Sequence, residues 1–255
     1  MNKVEFKEVG MKYHTLQGET EALRDLSFIV KENQFISLVG PSGCGKSTAL
    51  SLLAGLLDPT AGQVFIDEEE VLGIQEKVGY MLQEDYLFPW RTILDNVLLG
   101  LEVKGMLTNE SKAKAKRLLA DYGLEEFENY YPTQLSGGMR QRVALARTLA
   151  FEPEILLLDE PFSALDYHTK LAVENEVAQI LRNQNKTVIL VTHDIGEAIA
   201  MSDRVLVLTK RPGRVKKDYD IDLTIEGDYS TFKSREAPEF SRYFNSIWEE
   251  LDVYV

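Results

Sequence analysis

The chain has 255 residues, 44% of them apolar and 27% charged, enough to bury a stable core and too apolar for a wholly disordered polymer. Its 41 acidic against 28 basic side chains give a formal net charge of −13, which repels phosphate polymers at long range and argues against nucleic acid as a partner. No run of roughly eighteen apolar residues offers a bilayer span, the N-terminal Met-Asn-Lys-Val-Glu-Phe-Lys has no apolar signal core, and the single cysteine has no disulfide partner, so the expected location is cytoplasmic.

Residues 4–9, 26–30 and 35–39 read as short β-rich runs separated by polar turns, and a helix is expected over 46–57. Between the last two lies Gly40-Pro41-Ser42-Gly43-Cys44-Gly45-Lys46-Ser47-Thr48, which fits G-x-x-x-x-G-K-[ST] in the strand, loop, helix context the pattern requires. A nucleotide site in so acidic a chain must create its own positive field, and this segment has the parts. Glycines let the backbone wrap phosphates with N–H groups inward, Lys46 supplies a charge to the β- and γ-phosphates, Ser47 offers a hydroxyl to Mg²⁺, and the helix N-terminus adds about half a positive charge. Cys44, inside the loop, is either a small filler or a thiol made reactive by Lys46 and the helix N-terminus. ATP and Mg²⁺ are the expected cofactors.

Farther along, 77–82 reads as a strand and 92–101 and 111–122 as helices, the second capped by Asn109 or Thr108. The short apolar runs 155–158 and 187–191 read as strands buried on both faces, with a helix over 168–182 between them, which is βαβ arithmetic and predicts a parallel sheet. On that helix Val173, Val177, Ile180 and Leu181 form a core stripe, and Asn175, Gln179 and Arg182 are expected to face water. The strand at 155–158 runs into Asp159 and Glu160, the first placed to hold Mg²⁺ and the second to orient an attacking water. His193, after the next strand, is either a satisfied structural histidine or a ligand-facing group where strand C-termini gather. A strand over 204–209, a turn at Arg211-Pro212-Gly213-Arg214 and a terminal helix over 237–251 complete the chain.

Leu135-Ser136-Gly137-Gly138-Met139-Arg140-Gln141-Arg142 resembles the signature segment of the ABC ATPase family, and the likeness runs from residue 4 to about 207. The resemblance implies an α/β P-loop NTPase, with a RecA-like parallel core sheet, an N-terminal antiparallel β portion and an inserted α-helical signature subdomain. It divides one nucleotide-binding domain into a core at about 1–86 and 151–209, the helical subdomain at about 87–150, and a C-terminal hairpin and helix at about 210–255. Ser136 with the N–H groups of Gly137 and Gly138 then forms a second anion site, which in the family covers the γ-phosphate held by a second copy. The resemblance further implies that Gln83 touches Mg²⁺ and the attacking water, that Asp166, in Ser163-Ala164-Leu165-Asp166, crosses the dimer interface, and that Tyr13 stacks on adenine. His14 and His168 read as solvated. Asn33-Gln34 replaces the usual Gly-Glu turn, which asparagine's tolerance of positive φ lets survive, and Glu68 stands where glycine is common.

The stretch Glu84-Asp85-Tyr86-Leu87-Phe88-Pro89-Trp90-Arg91-Thr92 resembles importer ATPases of the nitrate, sulfonate and taurine group, whose corresponding region receives a helix of the membrane permease. Phe88 and Trp90 packing the helical subdomain is the plainer alternative. Lys210-Arg211-Pro212-Gly213-Arg214 also resembles that group's C-terminal turn and is expected to be a solvated hairpin. The implied partners are a second copy, integral-membrane permease subunits and, indirectly, a solute-binding protein, with the chain peripheral on the inner membrane face. A soluble, non-transport ABC ATPase is the alternative.

Overall fold

A computed structural model describes residues 1–16, 18–163 and 165–251. Ala164 of the expected interface loop and residues 252–255 of the expected C-terminal segment lie outside the described residues. The chain begins as a long antiparallel hairpin, β1 (Asn2–Thr15) and β2 (Gly18–Lys31), where the sequence predicts only two short runs. The difference has a local cause. Four register shifts interrupt the hairpin, and those between Phe6 and Val9 and between Val9 and Met11 accompany left-handed φ at Glu8 (49°) and Asp25 (48°), so bulges break the period-two alternation.

Next come β3 (Phe35–Val39), helix α1 (Lys46–Leu53), β4 (Ala61–Ile66), β5 (Glu69–Glu70) and β6 (Val78–Met81). The helix expected to reach 57 stops at Leu53, because Gly55 takes φ 70° and the Leu56 N–H turns back to the Ser51 carbonyl. The middle is helical: α2 (Ile93–Val103), α3 (Asn109–Asp121), capped by Thr108 rather than Asn109, and α4 (Gly137–Leu149). Then follow β7 (Ile155–Asp159), α5 (Tyr167–Asn183), β8 (Thr187–Thr192), α6 (Ile195–Met201), β9 (Arg204–Leu208) and β10 (Val215–Asp220). In place of one terminal helix there are two, α7 (Thr231–Glu236) and α8 (Phe240–Glu250), divided near Pro238.

Strands β2-β1-β4-β5 form an antiparallel sheet, and a second sheet runs β10-β9-β3-β8-β7-β6, parallel except for β10. In the parallel part alternate side chains serve opposite layers. Leu156, Leu158, Val188 and Leu190 join the core under α2–α5, and Ile155, Leu157, Ile189 and Val191 join the core shared with the antiparallel sheet and α1. Ile247 of α8 and Ile199 of α6 close a third cluster around Val205 and Val207. Because β3, β6, β7 and β8 all run the same way, the residues that follow them share one edge of the sheet.

The outer face of α5 faces water only in part: Gln179 is exposed as expected, and Asn175 and Arg182 are half-buried. The C-terminal segment lies over it: the Thr231 N–H donates to Asn175 Oδ1 at 3.0 Å, Gln179 donates to the Tyr229 carbonyl at 3.3 Å, and the Arg182 guanidinium stacks 4.2 Å over the Tyr229 ring and donates to Asp203 at 3.0 Å. Among the described residues, no helix is long and apolar enough to cross a membrane.

Candidate active site

The loop from Gly40 to Gly45 joins the central strand β3 to α1, and its shape depends on close approach. Gly45 has φ 105°, and a Cβ there would lie 2.6 Å from Leu23 Cδ2 and 2.9 Å from the Ala22 carbonyl. Lys46 is buried to 6% exposure, with Nζ donating to the carbonyls of Gly40 at 2.8 Å and Pro41 at 3.2 Å. Cys44 is buried, and burial pushes its thiol above its ordinary value despite the nearby Lys46 ammonium. The reactive-thiol alternative therefore loses its premise, and Cys44 acts as a filler.

Beside the loop opens a cleft of about 500 Å³, lined among others by Tyr13, Ser42, Gly43, Lys46, Ser47, Thr48, Gln83 and Glu160. The end of β1 reaches the start of α1, where Tyr13 Oη lies 3.2 Å from Thr48 Oγ1. At the other end, Ser47 donates to Asp159 Oδ1 at 3.1 Å and Tyr80 donates to Asp159 Oδ2 at 3.2 Å. Burial raises the Asp159 carboxyl above its ordinary value in spite of those bonds. Glu160 has φ 47°, a left-handed conformation costing roughly 1 kcal/mol for a residue with a Cβ. Its Oε2 lies 3.1 Å from His193 Nδ1 and accepts from Gln83 Nε2 at 3.4 Å, so residues following β6, β7 and β8 meet at one carboxylate oxygen. A carboxylate so held, beside a phosphate cradle, is placed to take a proton from a water.

Ser136, Gly137, Gly138 and Asp166 are not among the residues lining this cleft. Ser136 caps α4, its Oγ accepting from the Met139 N–H at 3.3 Å, and Asp166 caps α5, accepting from the Thr169 N–H at 3.1 Å. The two helix starts pack together, and a Cβ on Gly138 would sit 2.9 Å from Thr169 Cγ2. His14 and His168 are exposed as expected, Asn33 takes φ 58°, and Glu68 occupies the glycine-like position at φ 67°.

The sequence model of the family described as ABC transporter matches residues 23–163, more than half of the chain. The chain belongs to the ABC transporter ATP-binding proteins. It is 50% identical over 240 residues to the ABC transporter ATP-binding protein YtlC of Bacillus subtilis, covering 94% of this chain and 92% of the relative. It is 35% identical over 257 residues to the taurine import ATP-binding protein TauB of Roseobacter denitrificans, covering 98% and 95%. Among solved structures, the dimeric post-hydrolysis state of the cassette MJ0796 bound to ADP and Pi superimposes with a TM-score of 0.75 at 35% identity, covering 86% of this chain and 99% of that one. The chain is thus an ATP-hydrolysing transporter subunit with the α/β P-loop fold.

In this ABC subunit side chains to which the motif reading assigned no role also hold the site. Arg140 of α4 donates to Asp85 Oδ2 at 2.9 Å, and Arg147 donates to the carbonyls of Asp85 at 2.6 Å and Tyr86 at 2.8 Å, tying the segment after Gln83 to the helix that begins at Ser136. Behind His193 lies a buried charge cluster. Lys170 Nζ pairs with Asp194 at 2.7 Å, Glu197 at 2.9 Å and Glu174 at 3.6 Å, and Arg235 of α7 pairs with Glu174 at 2.5 Å, so three carboxylates share two cations. Burial by itself lowers Lys170, but Glu197 and Asp194 outweigh it and raise the ammonium. The surplus carboxylate is relieved by a proton: burial, with Glu174 and Asp194 nearby, pushes Glu197 up to about 8.

The sign of the linkage follows from these values. Between its ordinary value of 4.5 and about 8, folded Glu197 keeps a proton that the unfolded chain has released, so raising pH through that window lowers stability, by at most about 1.4 kcal/mol per pH unit. Glu197→Gln removes this dependence. The stability gap between variant and wild type, read as melting temperature at a series of pH values from mildly acidic to mildly alkaline, is expected to widen in the variant's favour as pH rises. Parallel curves would contradict the assignment.

Proposed function

We propose that two copies pair head to tail, each closing the other's ATP cleft, and that the pair energises import of a small solute through a separate integral-membrane permease fed by a solute-binding protein. The observation that carries this reading is the separation of the two anion sites. The phosphate loop opens into the cleft with Gln83 and Glu160, while the α4 N-terminus at Ser136–Gly138 lies outside it, so a second chain is needed to unite them. In this reading the backbone from Gly40 to Thr48 and the Lys46 ammonium hold the phosphates, Tyr13 stacks on adenine, and Glu160 accepts the water's proton. His193 and Gln83 fix the Glu160 carboxylate and the γ-phosphate, and Asp166 reaches across the interface. The division into a core at about 1–86 and 151–209, a helical arm at about 87–150 and a C-terminal segment belongs to the same proposal, with the arm presenting Ser136 to the partner.

Mg²⁺ is part of the proposal, and the donor set suits it. Among the described residues no three His, Cys, Asp or Glu side chains converge as a cage, but an ion that arrives with ATP needs only one or two protein oxygens. Ser47 Oγ and Asp159 Oδ1, 3.1 Å apart, supply them, with Gln83 at hand, and the raised carboxyl of Asp159 is one that a cation would return to its charged form. Held there, it would supply positive charge against the phosphates.

Coupling to a permease is supported by Trp90, which is 71% exposed and stacks on Phe88 with ring centroids 5.0 Å apart. Buried Asn96 pins this turn: its Oδ1 accepts from the Phe88 N–H at 2.7 Å, and its Nδ2, with two hydrogens to donate, lies 2.9–3.2 Å from the carbonyls of Phe88, Arg91 and Thr92. An exposed tryptophan braced on a half-buried phenylalanine is suited to receive a partner helix. A sulfonate-like or nitrate-like solute is favoured by the taurine-import relative, with a vitamin precursor the next choice, and the chain is placed on the inner membrane face. Tagged protein purified from detergent-solubilised membranes is expected to bring down a polytopic permease, and deletion of its gene to abolish uptake of radiolabelled taurine, an alkanesulfonate or nitrate. A chain found only in the soluble fraction, with uptake of all candidates intact, would favour the non-transport alternative.

A further inference from the structure

The turn between β9 and β10, expected to be a solvated hairpin tip, is packed against the phosphate loop. Gly213 exchanges backbone hydrogen bonds with β2, its N–H donating to the Ala22 carbonyl at 2.8 Å and its carbonyl accepting from the Arg24 N–H at 3.1 Å. A Cβ on Gly213 would lie 2.1 Å from the Cys44 carbonyl, so only glycine allows this approach. Thr209 Oγ1 braces the turn, donating to the Pro212 carbonyl at 3.0 Å and accepting from the Arg214 N–H at 3.1 Å. The turn therefore holds Arg211 in a fixed place on the wall of the ATP cleft.

Arg211 lines the cleft together with Ser42, Gly43 and Lys46. Its Nε donates to the Gly43 carbonyl at 2.9 Å, and its Nη2 would lie 2.8 Å from a Cβ built on Gly43, so the Nε/Nη2 edge of the guanidinium meets the loop. Among the described residues no carboxylate pairs with it, although the chain carries 41 acidic side chains and the neighbouring Arg214 pairs with Asp25 at 3.2 Å. A guanidinium anchored through Nε keeps its two Nη groups, a planar pair of donors suited to phosphate oxygens.

We propose that Arg211 is a nucleotide-binding residue, a second cation beside Lys46 whose Nη groups donate to the phosphate chain of ATP. The proposal rests on the reading of the cleft as the ATP site and adds a contact from the C-terminal hairpin. A rival explanation is that Arg211 only braces the Gly43 carbonyl.

Two variants separate these. Arg211→Gln places its amide nitrogen at the same bond distance along the side chain as Nε, so it keeps the donor to Gly43 and deletes the charged end. Arg211→Ala deletes both. In titrations of the purified full chain with ATP, both variants are expected to weaken binding by roughly tenfold, with a shallower salt dependence than wild type. Arg211→Gln should keep the unliganded melting temperature and raise the KM for ATP with kcat within about twofold, as loss of uniform binding requires. Wild-type affinity in Arg211→Gln, whether or not Arg211→Ala is impaired, overturns the proposal in favour of bracing. If Arg211→Ala fails to fold, Arg211→Gln decides alone. Wild-type protein that failed to bind ATP would refute the site itself, a distinct outcome from binding that ignores the substitution.

Discussion

Glu160→Gln is expected to leave ATP binding intact and to lower ATP turnover by about 10²–10⁴-fold, the range for loss of a positioned general base. The substitution preserves shape. A glutamine amide oxygen can still accept from Gln83 and meet His193, so the two contacts at 3.4 and 3.1 Å need not collapse, and the φ of 47° already accepted by Glu160 is no worse for glutamine. What disappears is the basicity that the proposed role of Glu160 requires. If the two chains close on ATP and open on hydrolysis, the variant should accumulate as an ATP-bound dimer, visible as a shift in size-exclusion elution that depends on ATP and is not reversed with time. Phosphate release measured alongside gives the turnover. Near-normal turnover in Glu160→Gln would remove Glu160 from the role of base, and His193 would become the next group to test.

The parts of this site legible in the sequence are those built from contiguous residues. The phosphate loop announces itself because strand, glycines, lysine and helix lie within one stretch, and the burial of β7 and β8 follows from unbroken apolar runs. Even the two departures from the usual turn pattern, Asn33 and Glu68, sit at the left-handed φ expected of the glycines they replace. The bulged hairpin is harder to read, since each extra residue inverts the alternation that identifies a strand.

Contacts between distant segments leave no such trace. Arg211 and Gly43 are 168 positions apart, and nothing periodic links them. The outer face of α5 looks solvent-directed because Asn175, Gln179 and Arg182 are polar, and Gln179 is indeed exposed, yet Asn175 and Arg182 are half-buried against a segment that begins beyond residue 200. Glu174 is the sharper case. A glutamate beside a core stripe reads as solvated, and only the arrival of Arg235 and Lys170 makes its complete burial tolerable. The proposed pairing of Ser136 with a second copy's phosphate loop is likewise invisible in one chain and enters through family resemblance.

Lys46→Ala is expected to weaken ATP binding by about 10- to 150-fold, the equivalent of a charge-assisted contact worth roughly 1.5–3 kcal/mol. The ammonium is almost fully buried and already lies at the phosphate loop, donating to the carbonyls of Gly40 and Pro41, so little reorganisation is needed to bring it to a phosphate. The same position complicates the experiment, because alanine also strips a donor from two loop carbonyls and lowers the stability of the unliganded chain. The two effects separate through mass action. Ligand stabilisation grows as RT ln(1 + [ATP]/Kd), so at a fixed saturating concentration a hundredfold weaker Kd removes about 2.7 kcal/mol of the ATP-dependent increment, whatever the stability without ligand. Melting curves with and without ATP, for wild type and variant, therefore isolate the binding loss as the difference between two shifts. An ATP-induced shift in Lys46→Ala equal to that of wild type would mean that Lys46 serves only to hold the loop closed, and the positive field at the phosphates would then have to come from backbone N–H groups, the α1 N-terminus and Arg211.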